Sequence, residues 1–502
     1  MHVRWLAIAL SIGCGGSSDT SDAARDAGEA LRDSGHDTDV EDSSRDAEPT
    51  DSAMDRGVDT GLDSEPATDV GEDADTRDAP LLAFPGAVGF GRNAEGGRAG
   101  EVLYVTTLAD SGPGSLREAL LTPGARTIIF RVAGTIALDS RIRVTEPFIT
   151  LAGQSAPGGG IAIRHSGAAG FGNGLLQFDT HDVIVRHVRF RRGPSAEGEC
   201  CGDNVTLVGG EDAIFDHCSM SWSTDEILNG FPASRITVQE CMLTEPLRNS
   251  THEEEGMRIP HNLGPLFGAA SNEITFYRNL FTHSRDRNPR LAPTMGGDFQ
   301  VVNNVVYNVC SGITIRATGE TARVNVIANV NLRGPDSCWD LRGNILLRDN
   351  LSVFVEDNLM PLRAAGGDEW MATSEPGSVP ASRDRQSLVR HDMPTLPTLA
   401  SSALVADLFD GVGATLPVRD DVDTRTIREV RDGSGSMIDD PSDVGGWPTL
   451  AAGTPYPDGD RDGMDDDWER AEGFDPESAD GSDDRDGDGY TNLEEFLNGT
   501  RP

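Results

Sequence analysis

The 502-residue sequence contains no lysine, so all 42 of its permanently cationic side chains are arginines. Any task usually given to lysine must fall to arginine here. Cysteine is sparse, with seven in all, and no cysteine–histidine group has the spacing of a zinc site. Apart from Cys14, these are Cys200, Cys201, Cys218, Cys241, Cys310 and Cys338. They are expected to be mostly buried or structural thiols, and spacing alone leaves their pairing open. Long amphipathic helices are missing between the strand-like runs, which argues against βαβ units. Basic charge is outnumbered, 83 acidic residues standing against 42 basic ones for a net −41. That balance argues against a nucleic-acid partner.

The acidity sits at the two ends. Residues 18–80 hold 21 Asp and Glu against 5 Arg, and residues 458–502 hold 17 against 4. The middle of the chain is only mildly acidic. The apolar run in "MHVRWLAIALSIGCGGSS" is too short to cross a bilayer and reads as a secretion signal. Its Gly13-Cys14 step and Gly/Ser spacer resemble a lipoprotein signal over residues 1–14, with Cys14 as the lipidated residue, although Ser11 stands where Leu is usual. Residues 15–82 are Ala/Ser/Asp-rich and nearly free of aromatics, the composition of a disordered spacer.

Between about 100 and 355, short period-2 runs end in a recurring small or amide residue. They are "VIVRHV" ending at Val188, "AIFDHC" at Cys218, "ITVQEC" at Cys241, "ITFYRN" at Asn279, "FQVVNN" at Asn304, "VNVIAN" at Asn329 and "ILLRDN" at Asn350. Alternating β-branched residues indicate strands, and a recurrence in the low twenties with loop insertions indicates a solenoid. Asn279, Asn304, Asn329 and Asn350 would then stack at one corner and hydrogen-bond along the axis. The predicted fold is an all-β parallel β-helix over residues 83–450. The short amphipathic segment "GSLREALLTPG" (114–124) serves as its N-terminal cap. Insertions in a solenoid fall on loops, often on the binding face. The longest here hold "RRGPSAEGECCGDN" and "MLTEPLRNSTHEEEGMRIPHNLGPLFG".

Residues 455–500 carry a second pattern. "DGDRDGMDDDWE" places Asp458, Asp460, Asp462, the Met464 carbonyl, Asp466 and Glu469 at loop positions 1, 3, 5, 7, 9 and 12, with Gly463 at 6. "DRDGDGYTNLEE" repeats it with Asp484, Asp486, Asp488, the Tyr490 carbonyl, Asn492 and Glu495. Two matches in tandem predict a compact Ca²⁺-binding module, similar to dockerin or thrombospondin type-3 repeats.

"ITLAGQSAPGGGIAIR", "RFRRG", "DHCSMSWSTDE", "HSRDRNPRL" and "VGGWP", spread from Phe84 to Pro448, resemble motifs of the bacterial pectate lyases of polysaccharide lyase family one. The resemblance implies a right-handed parallel β-helix and Ca²⁺-assisted β-elimination on polygalacturonate. By the same resemblance the metal ligands fall on Asp203, Asp225 and either Glu226 or Asn229, and the catalytic arginine falls on Arg287. Arg258 matches the family's substrate-binding lysine. Asp216, in the "DH" motif, is expected to be structural. A further family arginine is replaced by Ala292, leaving Arg290 or Arg285 to take its part. The residue types suit the chemistry. Oxygen ligands hold Ca²⁺, and guanidinium forks grip carboxylates. Neutralising an arginine of pKa about 13 near pH 9 costs roughly 5 kcal/mol. A divalent ion about 6 Å away opposes its charge by a similar amount at an effective dielectric of 20. An alkaline optimum and calcium dependence follow.

The sequence thus predicts a monomeric, secreted, outer-membrane or cell-surface lipoprotein that meets the membrane only through its lipid. Its partner would be an acidic polysaccharide. Two other readings stay open: a non-catalytic β-helix that binds acidic glycan, and a hydrolase or lyase acting on another uronate polymer.

Overall fold

The computed structural model describes residues 80–169, 174–194, 202–254, 257–258, 260–338, 344–363 and 366–502. The signal with Cys14, nearly all of the acidic spacer, Cys200 and Cys201 lie outside the described residues. Residues 80–502 form one compact unit, a parallel β-solenoid of about nine turns.

A representative coil runs through Ser219–Ser221, Leu228–Gly230 and Ala233–Gln239. The first strand belongs to an eight-stranded sheet, and the other two belong to a 17-stranded sheet. Neighbouring coils pair in parallel register, as in Ile236↔Ile274 and Ile274↔Phe299. Alternation turns Ala213, Phe215, Ile236, Val238, Ile274, Phe276, Phe299 and Val301 inward, each at most 1% exposed. One apolar cluster fills the tube from Val105 to Ala381. Its N-terminal end is closed by helix α1, Leu116–Leu121, capped by Ser115 and burying Leu116, Ala119 and Leu120. The buried Arg126 guanidinium donates to the Ala119 and Leu120 carbonyls of the helix's last turn, helping to satisfy acceptors that a helix end exposes.

The corner between the long strands and the eight-stranded sheet carries the ladder. The Cys218 N–H donates to Cys241 Sγ, and the Cys241 N–H to Asn279 Oδ1. Backbone donors of Asn279, Asn304 and Asn329 then reach the Oδ1 of Asn304, Asn329 and Asn358. One expectation needs correcting here. Asn350 is not a rung; it lies inside the 12-residue strand Ile345–Glu356, and its Nδ2 donates to the Gly319 carbonyl at an exposed site. That strand delays the corner by eight residues, to Asn358. Immediately before each rung stands a left-handed residue: His217, Glu240, Arg278, Asn303, Ala328 and Asp357, with φ between 50° and 54°.

Helices α2 (Ser401–Gly411) and α3 (Asp421–Asp432) cover the outside of the eight-stranded sheet, burying Leu404, Leu408, Ile427 and Val430 against Met242, Leu280 and Tyr307. Two of the cysteines predicted to be structural, Cys310 and Cys338, are joined by a disulfide, and Cys218 and Cys241 are buried thiols. Among the described residues no helix is long and apolar enough to cross a membrane. The C-terminal module, with helices α4 (Asp466–Glu472) and α5 (Asn492–Asn498), packs on the first coils. Met464 and Leu493 meet Ile129 and Ala152 there.

Candidate active site

The loops that precede successive short strands stack on one side of the solenoid. Register fixes their order, because Thr206 pairs with Asn229, Asn229 with Leu266, Leu266 with Arg290, and Arg290 with Thr314. Each step is about 4.8 Å. The order is kept through the loops by isolated parallel bridges, Glu226 to Leu263 and Leu263 to Asp286. Residues 23 to 84 apart in sequence are thereby placed side by side, from Asp203 through Glu226 to Arg287.

Asp203, Asp225 and Glu226 are buried, and each offers a carboxylate oxygen within 4.8 Å of the others. Asp203 Oδ1 accepts the Glu226 N–H at 3.1 Å, and its Oδ2 accepts Thr206 Oγ1 at 2.9 Å and Asn229 Nδ2 at 3.4 Å. Burial, reinforced by the Asp225 charge, raises the Asp203 pKa well above the usual carboxylate range. Burial would raise Asp225 as well, but the hydrogen bond and charge of His261, with the charges of His252 and Arg287, outweigh it and hold Asp225 low.

Arg287 sits opposite these acids in a left-handed conformation, φ 70°, and its guanidinium is paired with Glu226. Its N–H donates to Asp286 Oδ1 at 2.7 Å, while the next residue, Asn288, anchors the loop through Nδ2 to the Ser311 carbonyl at 2.8 Å. Burial pushes the Arg287 pKa down to about 10, helped by the neighbouring charge of Arg290 and opposed by Asp225 and Asp203. Gly264 lets the loops meet this closely. A Cβ there would lie 1.9 Å from the Arg287 carbonyl oxygen.

Of the other predicted residues, Arg290 lies partly buried on the same outer row, and Ala292 faces Gly268 one coil earlier. Arg285 is exposed, tied by its N–H to the Asn262 carbonyl. The backbone of 257–258 pairs antiparallel with 253–254; the Arg258 side chain lies outside the described residues. Asp216 lies in the corner strand, where Arg186 and Gln239 hydrogen-bond its two oxygens, in keeping with a structural role.

Sequence reasoning missed the histidines. His252 and His261 stack with ring centroids 3.8 Å apart, and His261 Nε2 lies 2.7 Å from Asp225 Oδ1. Their only signal was two of ten histidines falling within a single inserted loop. The arrangement suits a hard cation beside an arginine. Three carboxylates face one guanidinium, and two buried amide oxygens, Asn229 Oδ1 and Asn262 Oδ1, have no hydrogen-bond partner among the described residues.

In the C-terminal module, Asp458, Asp460 and Asp462 converge within 4.8 Å. Asp466 instead accepts the Gly459 N–H and pairs with Arg470. Asp484, Asp486 and Asp488 are exposed and accept N–H groups of their own loop, as does Asn492. Glu495 is buried, and burial with its acidic neighbours pushes its pKa up to about 7.

No protein-family model matches the chain. Comparison with curated proteins finds "Probable pectate lyase C" of Aspergillus flavus, 35% identical over 432 residues and covering 84% of this chain and 94% of that protein. The protein of the same name from Aspergillus oryzae matches to the same extent. "Pectate lyase 5" of Ambrosia artemisiifolia is 25% identical over 328 residues, 58% of this chain and 77% of that protein. A solved structure described as "Pectate lyase bound to hexasaccharide" is 16% identical with a TM-score of 0.43, covering 68% of this chain and 99% of that one. These curated relatives are fungal and plant proteins, so the likeness holds for the family and not for its bacterial members alone. With a third of its residues shared along nearly the whole length of the Aspergillus proteins, the chain belongs to the pectate lyase family.

Proposed function

We propose that this protein is a secreted polysaccharide lyase that cuts polygalacturonate by β-elimination, with Arg287 as the base. The observation that carries this reading is the meeting of Arg287 with Asp203, Asp225 and Glu226 across neighbouring turns. A galacturonan strand laid along the solenoid axis would cross the row Thr206, Asn229, Arg290 and Thr314, one sugar per coil or nearly so. Arg290, with Arg285 and Arg258, would bind the uronate carboxylates by paired N–H donors. Arg287 would take the proton α to the carboxylate, the electron pair forming a ring double bond as the glycosidic oxygen leaves. Its lowered pKa makes that removal less costly. Against an ordinary arginine of 12.5, a value about 10 cuts the cost of the neutral form by roughly 3 kcal/mol.

Ca²⁺ would be held by Asp203, Asp225 and Glu226, with Asn229 Oδ1 in reach, and when bound it would mask carboxylate charge and so acidify the α-proton. His261 holds Asp225 ionised and in place, and Thr206 does the same positional work for Asp203. The signal ending at Cys14 supports export with a lipid anchor, and a single chain is taken as the working unit.

Incubation with polygalacturonate, with and without chelator, tests the proposal. Ultraviolet-absorbing unsaturated ends should form only with calcium, and Arg287→Ala should abolish them while leaving the circular dichroism unchanged. Reducing ends without absorbance would indicate hydrolysis and overturn the lyase reading.

A further inference from the structure

The C-terminal module rests on the solenoid through the same residues that shape its first acidic loop. Asp458 Oδ2 accepts the Tyr104 hydroxyl at 2.8 Å and lies 3.6 Å from Arg131, both residues of the first coils. Arg131 in turn donates to the Tyr456 carbonyl at 2.6 Å and lies over the Tyr456 ring, and the Tyr456 hydroxyl donates to the Gly463 carbonyl. Nearby, Arg98 pairs with Glu494 and Arg186 donates to Asn498. The loop is therefore tied to Tyr104, 354 residues away, at its first ligand, and to Arg131 by way of Tyr456 at its central turn.

Its interior is short of positive charge. Glu469 is 0% exposed, and neither of its carboxylate oxygens has a hydrogen-bond partner among the described residues. The same holds for Asp458 Oδ1, Asp460 Oδ2 and Asp480 Oδ1. A fully buried, unpartnered carboxylate among other acids is unstable unless a cation joins it. All the converging atoms are oxygens, the preference of Ca²⁺.

We propose that Asp458, Asp460, Asp462, Glu469 and Asp480 form a Ca²⁺ site separate from the active site, and that filling it clasps the C-terminal module onto the first coils. Asp480 stands outside the 12-residue loop, in the turn leading to the second, and takes the place that spacing had given to Asp466. Because Asp458 faces the metal with one oxygen and the solenoid with the other, Tyr104 and Arg131 orient a ligand, and ion binding and docking of the module strengthen each other.

Calcium titration of the full chain by calorimetry, combined with thermal unfolding, tests this. Glu469→Gln should lose one bound ion or weaken it at least tenfold. Tyr104→Phe should weaken the same ion by about 10-fold, the usual loss when a residue orienting a ligand is removed. Chelation should lower the unfolding midpoint of the parent by about 5 °C or more, and Glu469→Gln should no longer show that part of the shift. Asp480→Asn repeats the test should Glu469→Gln fail to fold. Asp203→Asn should keep the Glu469-dependent shift while losing lyase turnover, which separates this site from the catalytic one. Equal ion counts and affinities in the parent and both acid variants would overturn the site. Loss of the ion with an unmoved midpoint, or Tyr104→Phe binding calcium like the parent, would overturn the clasp.

Discussion

Gly264→Ala is the sharpest test of how the active site is held. The glycine lies where the inserted loop passes Arg287, and its N–H donates to the Asp286 carbonyl at 2.9 Å. A methyl group there would sit 1.9 Å from the Arg287 carbonyl oxygen, and 3.0 Å is the closest that real Cβ contacts come. The obstacle is backbone, so the two backbone segments must part by about 1.1 Å, the difference between those distances. Gly264 itself does not occupy the left-handed region, so the alanine adds crowding and no dihedral strain. The whole effect should therefore reach activity through displacement of Arg287. A displacement of about 1 Å at a reacting group lowers turnover by about 100-fold. The assay is the initial rate of unsaturated product formation at saturating polygalacturonate and calcium, alongside circular dichroism and a melting curve. We expect turnover to fall by about two orders of magnitude while the fold persists. Turnover within threefold of the parent would show that the position of Arg287 is not set by this contact.

The remaining predictions concern the base, the pH profile and the ladder. Arg287→Lys should lower turnover as severely as Arg287→Ala, because an ammonium on a flexible stem does not reproduce the guanidinium held by Glu226; recovery of a tenth of the parent rate by Lys would count against the assignment. The active form of a base is its deprotonated one, so turnover should rise about tenfold per pH unit and level off near the Arg287 pKa of about 10. A bell centred below neutrality would contradict that. Asn304→Leu should cost about 3–5 kcal/mol in urea unfolding, since the Asn279 N–H and amide both lose their buried acceptor. Asn350→Ala, at an exposed site, should cost under about 1 kcal/mol; equal losses at the two positions would refute the ladder as described.

That last pair marks where the sequence stopped being readable. The recurrence of Asn279, Asn304 and Asn329 at 25-residue steps follows from the physics of a stack, in which each rung satisfies the next. Asn350 keeps the local pattern but falls within a strand that runs through where a corner would be, and nothing local distinguishes a continued strand from an ended one. Asp203, Asp225, Glu226 and Arg287 were singled out by the resemblance of their motifs to a known family, and their meeting follows because loops at equivalent places in adjacent coils stack. His252 and His261 were not, because an insertion folds back by its own contacts and has no register to follow. The bond between Cys310 and Cys338 needed the distance between two loops. Asp480 was hidden because a spacing rule looks inside a loop, and here the geometry brings a ligand from beyond it. The contact of Tyr104 with Asp458 lay beyond any pattern of neighbours.

The left-handed corner residues have one more consequence. Their backbone shape turns these side chains toward the segment that covers the coils: Arg278 pairs with Glu240 and Asp407, Asn303 exchanges hydrogen bonds with Leu399, Ala328 packs in one cluster with Leu396, and Asp357 accepts the Ser401 N–H at the start of α2. One long edge of the molecule is thus a seam, stitched coil by coil to a single covering segment. A change of charge or bulk at any one corner would pull at that strap, so these positions bind the covering segment to the solenoid.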